Sequence, residues 1–314
     1  MIVFEDSNFK IEGNSAVTLG NFDGVHLGHQ KLISTVHSYA EKMNLKSVVF
    51  SFYPHPVAFF ASKRNFKTMF NTAEKYFVLK NMDIDYLVQY PFTKEFSGQS
   101  PKEFMELLIK KTGCKVLVVG ENYNFGKDRA GNLEILTELG NQYGVKVIGI
   151  PSVTYNDERV SSTRIRELIS RGEVEQVIPM LKKPYFLINK VVSGNKRGRL
   201  INFPTINLEP PEEKMLPPDG AYVSVVVIDG KIYKGITNIG KNPTFNNENR
   251  TVETHIFDFN EEIYGKEVLV GFYKLIRAET KFDNIEELKN QLLRDKENAL
   301  SYNYDIFDFK NFNI

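Results

Sequence analysis

The sequence predicts an α/β half followed by an all-β half that closes with one helix. Three observations predict it. Before about residue 180, short β-branched runs alternate with helical patterns, as in a parallel sheet flanked by helices. After it, alternating or continuous apolar strands dominate. Near the end, Ile285, Leu288, Leu292 and Ala299 recur at helical spacing, so these side chains are expected to face inward.

The strands expected in the first half are Ala16–Leu19, Ser47–Phe52, Tyr86–Tyr90, Val116–Val119 and Lys146–Ile150. Between them, Leu32, Ile33, Val36, Ala40 and Met43 trace one helix; Phe104, Leu107 and Leu108 a second; Leu133, Leu136 and Leu139 a third. A last helix starts near Ser162, with Ile165, Leu168 and Ile169 on one face and Gly172 as its stop. Lys182-Lys183-Pro184 reads as a short linker, which divides the chain into domains 1–181 and 182–314. Strands follow at Tyr185–Val192, Tyr222–Ile228, Lys231–Ile239, Thr251–Phe259 and Glu267–Arg277. Asp229-Gly230 is a two-residue hairpin signal. The pattern suits an antiparallel barrel or a sandwich with a terminal helix.

Composition narrows the function classes. A chain of 314 residues is comfortable for two cores. Lys plus Arg number 40 and Asp plus Glu 39, a net charge of +1 that gives no global handle for nucleic acid or an anionic membrane. No stretch approaches the roughly 20 apolar residues of a membrane span. The early acidic residues and lack of a continuous apolar core within 1–20 argue against a secretory signal. Cys114 is the single cysteine, so no intramolecular disulfide can form, and a cytoplasmic location is expected.

The strongest local signal is Gly20-Asn21-Phe22-Asp23-Gly24-Val25-His26-Leu27-Gly28-His29, between the first strand and the first long helix. Glycines there allow close approach of a ligand to the backbone, and the N–H groups of a helix start attract phosphate. His26 and His29 share one side of the first helical turn, where two imidazoles can donate to phosphate oxygens that gain charge during transfer. Histidines at this spacing can also cap a helix or hold a structural metal. The remaining His37, His55 and His255 stand at no obvious ligand spacing, which favours phosphate over metal.

This segment resembles the G-x-F-D-G-x-H-x-G-H form of the nucleotidyltransferase signature, shared more loosely by adenylyl- and cytidylyltransferases and class I aminoacyl-tRNA synthetases. Three further segments narrow the resemblance: Phe52-Tyr53-Pro54-His55-Pro56; Gly120-Glu121-Asn122-Tyr123-Asn124-Phe125-Gly126 with Arg129 and Gly131; and Ser161-Ser162-Thr163-Arg164-Ile165-Arg166. Together they resemble the FMN adenylyltransferase module of prokaryotic bifunctional riboflavin kinase/FAD synthetase. The resemblance implies a Rossmann-like nucleotidyltransferase domain. It assigns ATP to Gly20, Asn21, Phe22, Gly24, His26, His29, Ser162, Thr163 and Arg166, with His26, His29, Thr163 and Arg166 catalytic. Flavin contact falls to Asp23, His55, Asn122 and Asn124, with Asn122 preferred to Asn124.

In the second half, Gly194-Asn195-Lys196-Arg197-Gly198-Arg199 is a basic glycine-containing loop after a strand. Thr205 and Asn207 offer oxygens on alternate residues, hence on one side of an extended strand, and suit Mg²⁺. Glu253 and His255 likewise share a face. These segments, with Pro218-Asp219-Gly220-Ala221-Tyr222, Ile239–Phe245 and Tyr264-Gly265-Lys266, resemble the riboflavin kinase module. A six-stranded Greek-key β-barrel is then implied, with Mg²⁺ on Thr205 and Asn207. ATP phosphates would lie on the loop at Gly194, Lys196, Gly198 and Arg199, and Glu253 would be the base. His255 is expected to be a supporting or core residue. The family usually has Leu-Gly-Phe-Pro-Thr-Ala-Asn where this chain has Ile201-Asn202-Phe203-Pro204-Thr205-Ile206-Asn207, so Asn202 and Ile206 are expected to alter kinase rate or affinity.

The substrates implied are riboflavin, FMN and ATP. Two other readings fit parts of the chain: an adenylyltransferase for another substrate with a flavin-sensing second domain, or a non-catalytic nucleic-acid or partner-binding protein. Balanced charge and intact polar residues at both sites weigh against the latter.

Overall fold

The computed structural model describes all residues except 61–65, 195–200, 202, 242–249 and 305–314. The chain forms two compact units. One comprises Met1–Thr68 and Lys75–Ser161; the other comprises Met69–Glu74 and the chain from Ser162 onward.

The first unit is built on six parallel strands: β1 (Ile2–Phe4), β2 (Ser15–Leu19), β3 (Lys46–Tyr53), β4 (Tyr86–Pro91), β5 (Cys114–Gly120) and β6 (Lys146–Ile150). Their order is β1-β4-β3-β2-β5-β6. From β2 the chain steps outward through β3 and β4, then lays β5 and β6 on the other side. The order therefore reverses between β2 and β5, the place where open α/β sheets bind ligands. Strands buried on both faces need continuous apolar runs, and every residue of β2 is buried. One face packs Ala16, Val116 and Val118 against Leu32, Val36 and Ala40 of α1 (Leu27–Met43).

The other face packs Val17, Phe50 and Leu117 against Phe104, Met105 and Leu108 of a helix at Pro101–Thr112 and Leu136 of one at Leu133–Tyr143. The first of these two starts on a Ser100/Glu103 capping box and ends at Gly113, φ 63°, where a Cβ would come within 2.1 Å of Gly13 O. Shorter helices that the periodicity did not reveal are α2 (Pro56–Phe60), α3 (Thr72–Lys80) and α4 (Lys94–Ser97), so the two long ones are α5 and α6. The opening turn of α3 counts with the second unit and Lys75–Lys80 with the first. A two-stranded ribbon, β7 (Thr154–Tyr155) and β8 (Glu158–Arg159), completes the unit.

The second unit contains α7 (Ser162–Ser170) and α8 (Val174–Leu181). Six antiparallel strands follow: β9 (Tyr185–Lys190), β10 (Ile206–Leu208), β11 (Gly220–Ile228), β12 (Lys231–Lys241), β13 (Arg250–Ile256) and β14 (Glu267–Ala278). In the order β10-β13-β12-β11-β14-β9, β14 returns beside β11 after the β11–β12–β13 meander, which is a Greek key. Val192 N–H donates to Asn207 O at 2.9 Å, and this bridge links the chain after β9 to β10, curling the sheet. Asp229 (φ 49°) and Gly230 (φ 74°) form the expected hairpin turn, both left-handed.

Two expectations are corrected. Lys182-Lys183-Pro184 is no free linker: Lys183 and Pro184 are buried, and a Cβ on Gly271 of β14 would meet Pro184 Cγ at 3.1 Å. In α9 (Ile285–Ser301), Ile285 is 69 % exposed, while Asp295 and Ala299 form the buried stripe. Asp295 is accommodated by Arg277 of β14, whose Nη2 lies 3.0 Å from Oδ2. A charged pair thus occupies a position that hydrophobic periodicity cannot register.

Candidate active sites

Beyond β2 the chain turns through three left-handed residues, Phe22 (φ 50°), Gly24 (φ 80°) and Val25 (φ 44°). A β-branched residue there is strained by about 1–3 kcal/mol. Burial of Val25 and Phe22, both fully inaccessible, holds the turn. It delivers His26 as the cap of α1, with Nδ1 accepting from His29 N–H at 3.4 Å. Gly28 leaves room for this ring, since a Cβ there would lie 3.1 Å from His26 Cε1. The His26 and His29 rings stack at 3.8 Å and 16°, and His29 also packs on Phe22 at 5.1 Å.

Burial pushes His26 down to about 4, against the opposing pull of Asp23, with Arg159 lowering it further. Burial also holds His29 well below the ordinary range, reinforced by His26 and Lys75. Both imidazoles are therefore neutral at pH 7 in the free protein, and His29 Nδ1 is buried without a hydrogen-bond partner. The first N–H groups of α1 lack intrahelical acceptors, so an anion placed there meets donors and restores the tendency of both rings to protonate.

Next to this turn a cavity of about 790 Å³ opens, lined by Gly20, Asn21, Asn124 and Arg129 together with an aromatic wall that includes Phe52, Phe92, Phe96, Tyr123 and Phe125. Its size and mixed lining suit a large planar ligand with a polar edge. Of the residues the resemblance gave to flavin, Asn124 lines the cavity, with its Nδ2 donating to Asn122 O at 2.9 Å. Asn122, the preferred one, points its Nδ2 to Ser152 Oγ at 3.3 Å. Nδ1 of His55 accepts from Val57 N–H at 3.1 Å and its ring stacks on Phe66, beside Pro56 and Val57 of the cavity wall. Asp23 is 1 % exposed and acts electrostatically on His26 and Lys75. Ser162, Thr163 and Arg166 open α7 in the second unit, where Arg166 Nη1 approaches Met215 Sδ at 3.9 Å.

The second unit has its own polar row. Glu253 on β13 is in register with Asn207 on β10 and with Asn238 on β12, so these three side chains share one face. Val252, Thr254 and Ile256 alternate to the buried face, where Thr237 Oγ1 meets Ser224 Oγ at 2.8 Å and Thr254 Oγ1 at 2.9 Å. Gly194 packs directly on Asn207, since a Cβ there would fall 2.3 Å from Nδ2. His255 is a support: Nδ1 is 2.8 Å from Pro204 O and its ring packs on Phe203 at 4.9 Å, which holds the segment leading to Thr205. Thr205 lines a cavity of about 360 Å³ with Val191, Ile206, Ile256, Phe259 and Tyr264. Lys196, Gly198, Arg199 and Asn202 lie outside the described residues.

Among the described residues no group of three or more His, Cys, Asp or Glu could hold a metal ion. A divalent cation held by neutral oxygens and substrate phosphates, as Mg²⁺ commonly is, needs no such group.

A parallel sheet with a phosphate-suited helix start, joined to a Greek-key unit with a carboxylate–amide row, defines a transferase of phosphorus-containing groups. The FAD synthetase model matches residues 8–164 and the riboflavin kinase model residues 181–303. The bifunctional riboflavin kinase/FMN adenylyltransferase of Buchnera aphidicola subsp. Schizaphis graminum is 36 % identical over 299 residues, covering 93 % of this chain and 95 % of the relative. That of Bacillus subtilis is 34 % identical over 296 residues, covering 93 % of each. A crystal structure from Streptococcus pneumoniae described as a macrolide-efflux protein superposes with a TM-score of 0.88 at 34 % identity, covering 96 % of this chain and 99 % of that one. The chain belongs to the bifunctional riboflavin kinase/FMN adenylyltransferase family, with the FAD synthetase domain first and the kinase domain second. Among the described residues no helix is long and apolar enough to cross a membrane.

Two features escaped the sequence reading. The aromatic wall gathers residues from β3, α2, α4, α5 and the loops after β4 and β5, and only the abundance of 24 phenylalanines hinted at it. Lys75 stands on a short helix that the periodicity did not reveal and is only 8 % exposed.

Proposed function

We propose that the two reactions occupy two separate sites. At the start of α1, an oxygen of the FMN phosphate attacks the α-phosphorus of ATP; the bond to the bridging oxygen breaks and pyrophosphate leaves. His26 and His29 donate to the phosphate oxygens, while Gly20, Asn21, Phe22 and Gly24 shape the turn. The flavin ring lies in the aromatic cavity near Asn124 and His55. Ser162, Thr163 and Arg166 serve the nucleotide phosphates in this reading, on the strength of the motif they match.

On the second unit, Glu253 takes the proton of the ribityl 5′-hydroxyl as that oxygen attacks the γ-phosphorus of ATP, and ADP leaves. A positioned base contributes about 10²–10⁴ in rate. Thr205 and Asn207 would hold Mg²⁺, which neutralises phosphate charge when bound. The cavity beside Thr205, where Asn260, Glu261 and Glu262 join the apolar side chains, takes the nucleotide base. The observation that carries the kinase assignment is the register of Glu253 opposite Asn207.

We keep the boundary between the catalytic modules at 181/182: the kinase match begins at 181, although Ser162–Leu181 pack with the second unit. A cytoplasmic location suits ATP-dependent chemistry and a lone buried cysteine, whose thiol burial pushes up to about 12. The partners are small molecules, not nucleic acid or membrane. Chromatography of products from ATP, Mg²⁺ and riboflavin tests the whole: FMN, FAD, ADP and pyrophosphate are expected. Absence of ADP would remove the kinase half.

A further inference from the structure

Lys75 is buried in the first unit behind the histidine turn. Its Nζ donates to Ser51 Oγ on β3 at 3.3 Å and to Gln89 Oε1 on β4 at 3.4 Å. Ser51 Oγ in turn donates to Asn21 O at 3.2 Å, so a continuous chain runs from the ammonium to the backbone of the turn. Asn21 lines the aromatic cavity, and the same turn places His26 and His29. Two long, neutral hydrogen bonds are poor compensation for burying an ammonium, and an apolar side chain of similar volume would pack there at less cost. Apart from the electrostatic pull of Asp23, little in the packing offsets that cost, which points to a role beyond stability. The electrostatic neighbours of Lys75 are Asp23 and His29, both in the turn or the first turn of α1.

We propose that Lys75 is a positioning residue for adenylyl transfer: through Ser51 it braces the Asn21 carbonyl, and its charge sets the electrostatic balance between Asp23 and the histidine pair. This rests on the reading that the Gly20–His29 turn carries that reaction. Burial pushes Lys75 down to about 8, with Asp23 opposing. The residue thus keeps most of its charge at pH 7, next to an imidazole whose protonation burial and His26 already disfavour and Lys75 disfavours further.

The test uses the full chain with Lys75→Met, Ser51→Ala, the double variant and His29→Ala. For Lys75→Met, kcat for FAD formation from FMN and ATP should fall about 10–10²-fold, the range expected when a reacting group is misplaced by about an ångström. Thermal stability of the first unit should hold or rise, which is the folding control, and FMN formation from riboflavin should be unchanged. The His29 imidazole, followed by NMR, should titrate at higher pH than in the unsubstituted protein, because a neighbouring positive charge is gone. The double variant should lose little more than the worse single one, the mark of residues acting in one chain. A kcat within about threefold of the unsubstituted protein overturns the proposal, as does a loss that follows a lowered melting temperature with His29 unmoved. Should Lys75→Met not fold, Ser51→Ala decides by the same kcat criterion. If His29→Ala leaves FAD formation intact, the site reading itself fails, which is a different result from failure of Lys75→Met alone.

Discussion

Glu74 and Lys214, 140 residues apart in the chain, form an ion pair at 2.7 Å in which neither side chain is accessible to solvent. Ile188 N–H donates to the other Glu74 oxygen at 2.9 Å, and Lys214 Nζ also donates to Met69 O and Phe186 O while standing 4.5 Å over the Tyr185 ring. Burial raises the Glu74 pKa and Lys214 opposes that shift. The pair, with Tyr185 Oη donating to Met69 O at 2.7 Å and Phe70 stacked on Phe186 at 4.6 Å, ties Met69–Glu74 to the second unit.

Removing one partner leaves the other buried and uncompensated. Lys214→Ala and Glu74→Ala should each destabilise the second unit by about 3–5 kcal/mol. Lys214→Met with Glu74→Leu should cost far less than the sum of the single changes. Urea unfolding of the three variants measures this; additive losses would show that the pair is not coupled.

Val174, Val177, Met180 and Leu181 of α8 are buried, and this helix packs on β14 and β9. A fragment 162–314 should therefore be more stable to urea than 182–314, which exposes that surface, by about 1.5–3 kcal/mol for each large side chain fully uncovered. Both fragments lack Glu74, so Lys214→Met should stabilise each. Equal midpoints for the two fragments would contradict the packing argument.

Two single substitutions should separate the activities. His29→Ala should lower FAD formation by about 10²–10³ while riboflavin is still phosphorylated, so FMN accumulates. Glu253→Ala should leave riboflavin unconverted while added FMN still becomes FAD. Loss of FMN formation in His29→Ala would refute the separate assignment.

Chelation should stop both reactions, because both move groups whose phosphate charge a divalent cation neutralises. Thr205→Val should shift the Mg²⁺ dependence of FMN formation to higher concentration and leave that of FAD formation from FMN in place. FMN formation that continues in excess EDTA would sink the metal role of Thr205 and Asn207.

His26 titrates near 6.5 unfolded and at about 4 folded. A depressed folded value means that its contribution is complete above pH 6.5 and disappears as the pH falls through about 4. That contribution is on the order of 3 kcal/mol, and His29 acts in the same direction. Urea midpoints of the first unit should fall between pH 6.5 and 4, and His26→Gln should flatten that slope. An unchanged slope would mean that other groups govern acid unfolding.

Much of this was legible locally. The Gly20–His29 turn, the Asp229-Gly230 hairpin, the start of α7 and the alternation of Glu253 with His255 all depend on residues within a few positions of one another. Backbone preference and side-chain period act over that range, so the sequence by itself determined the two fold classes, their order and the motifs at each site. Tertiary structure alone decided which distant residues meet. Sheet register set Glu253 opposite Asn207 and Asn238. Strand order brought the ends of β2 and β5 together around an aromatic cavity. Burial made Lys75, Lys214 and Asp295 interior charges, which no local pattern singles out. Those outcomes depend on what packs against each residue across the fold, and no local period carries that information.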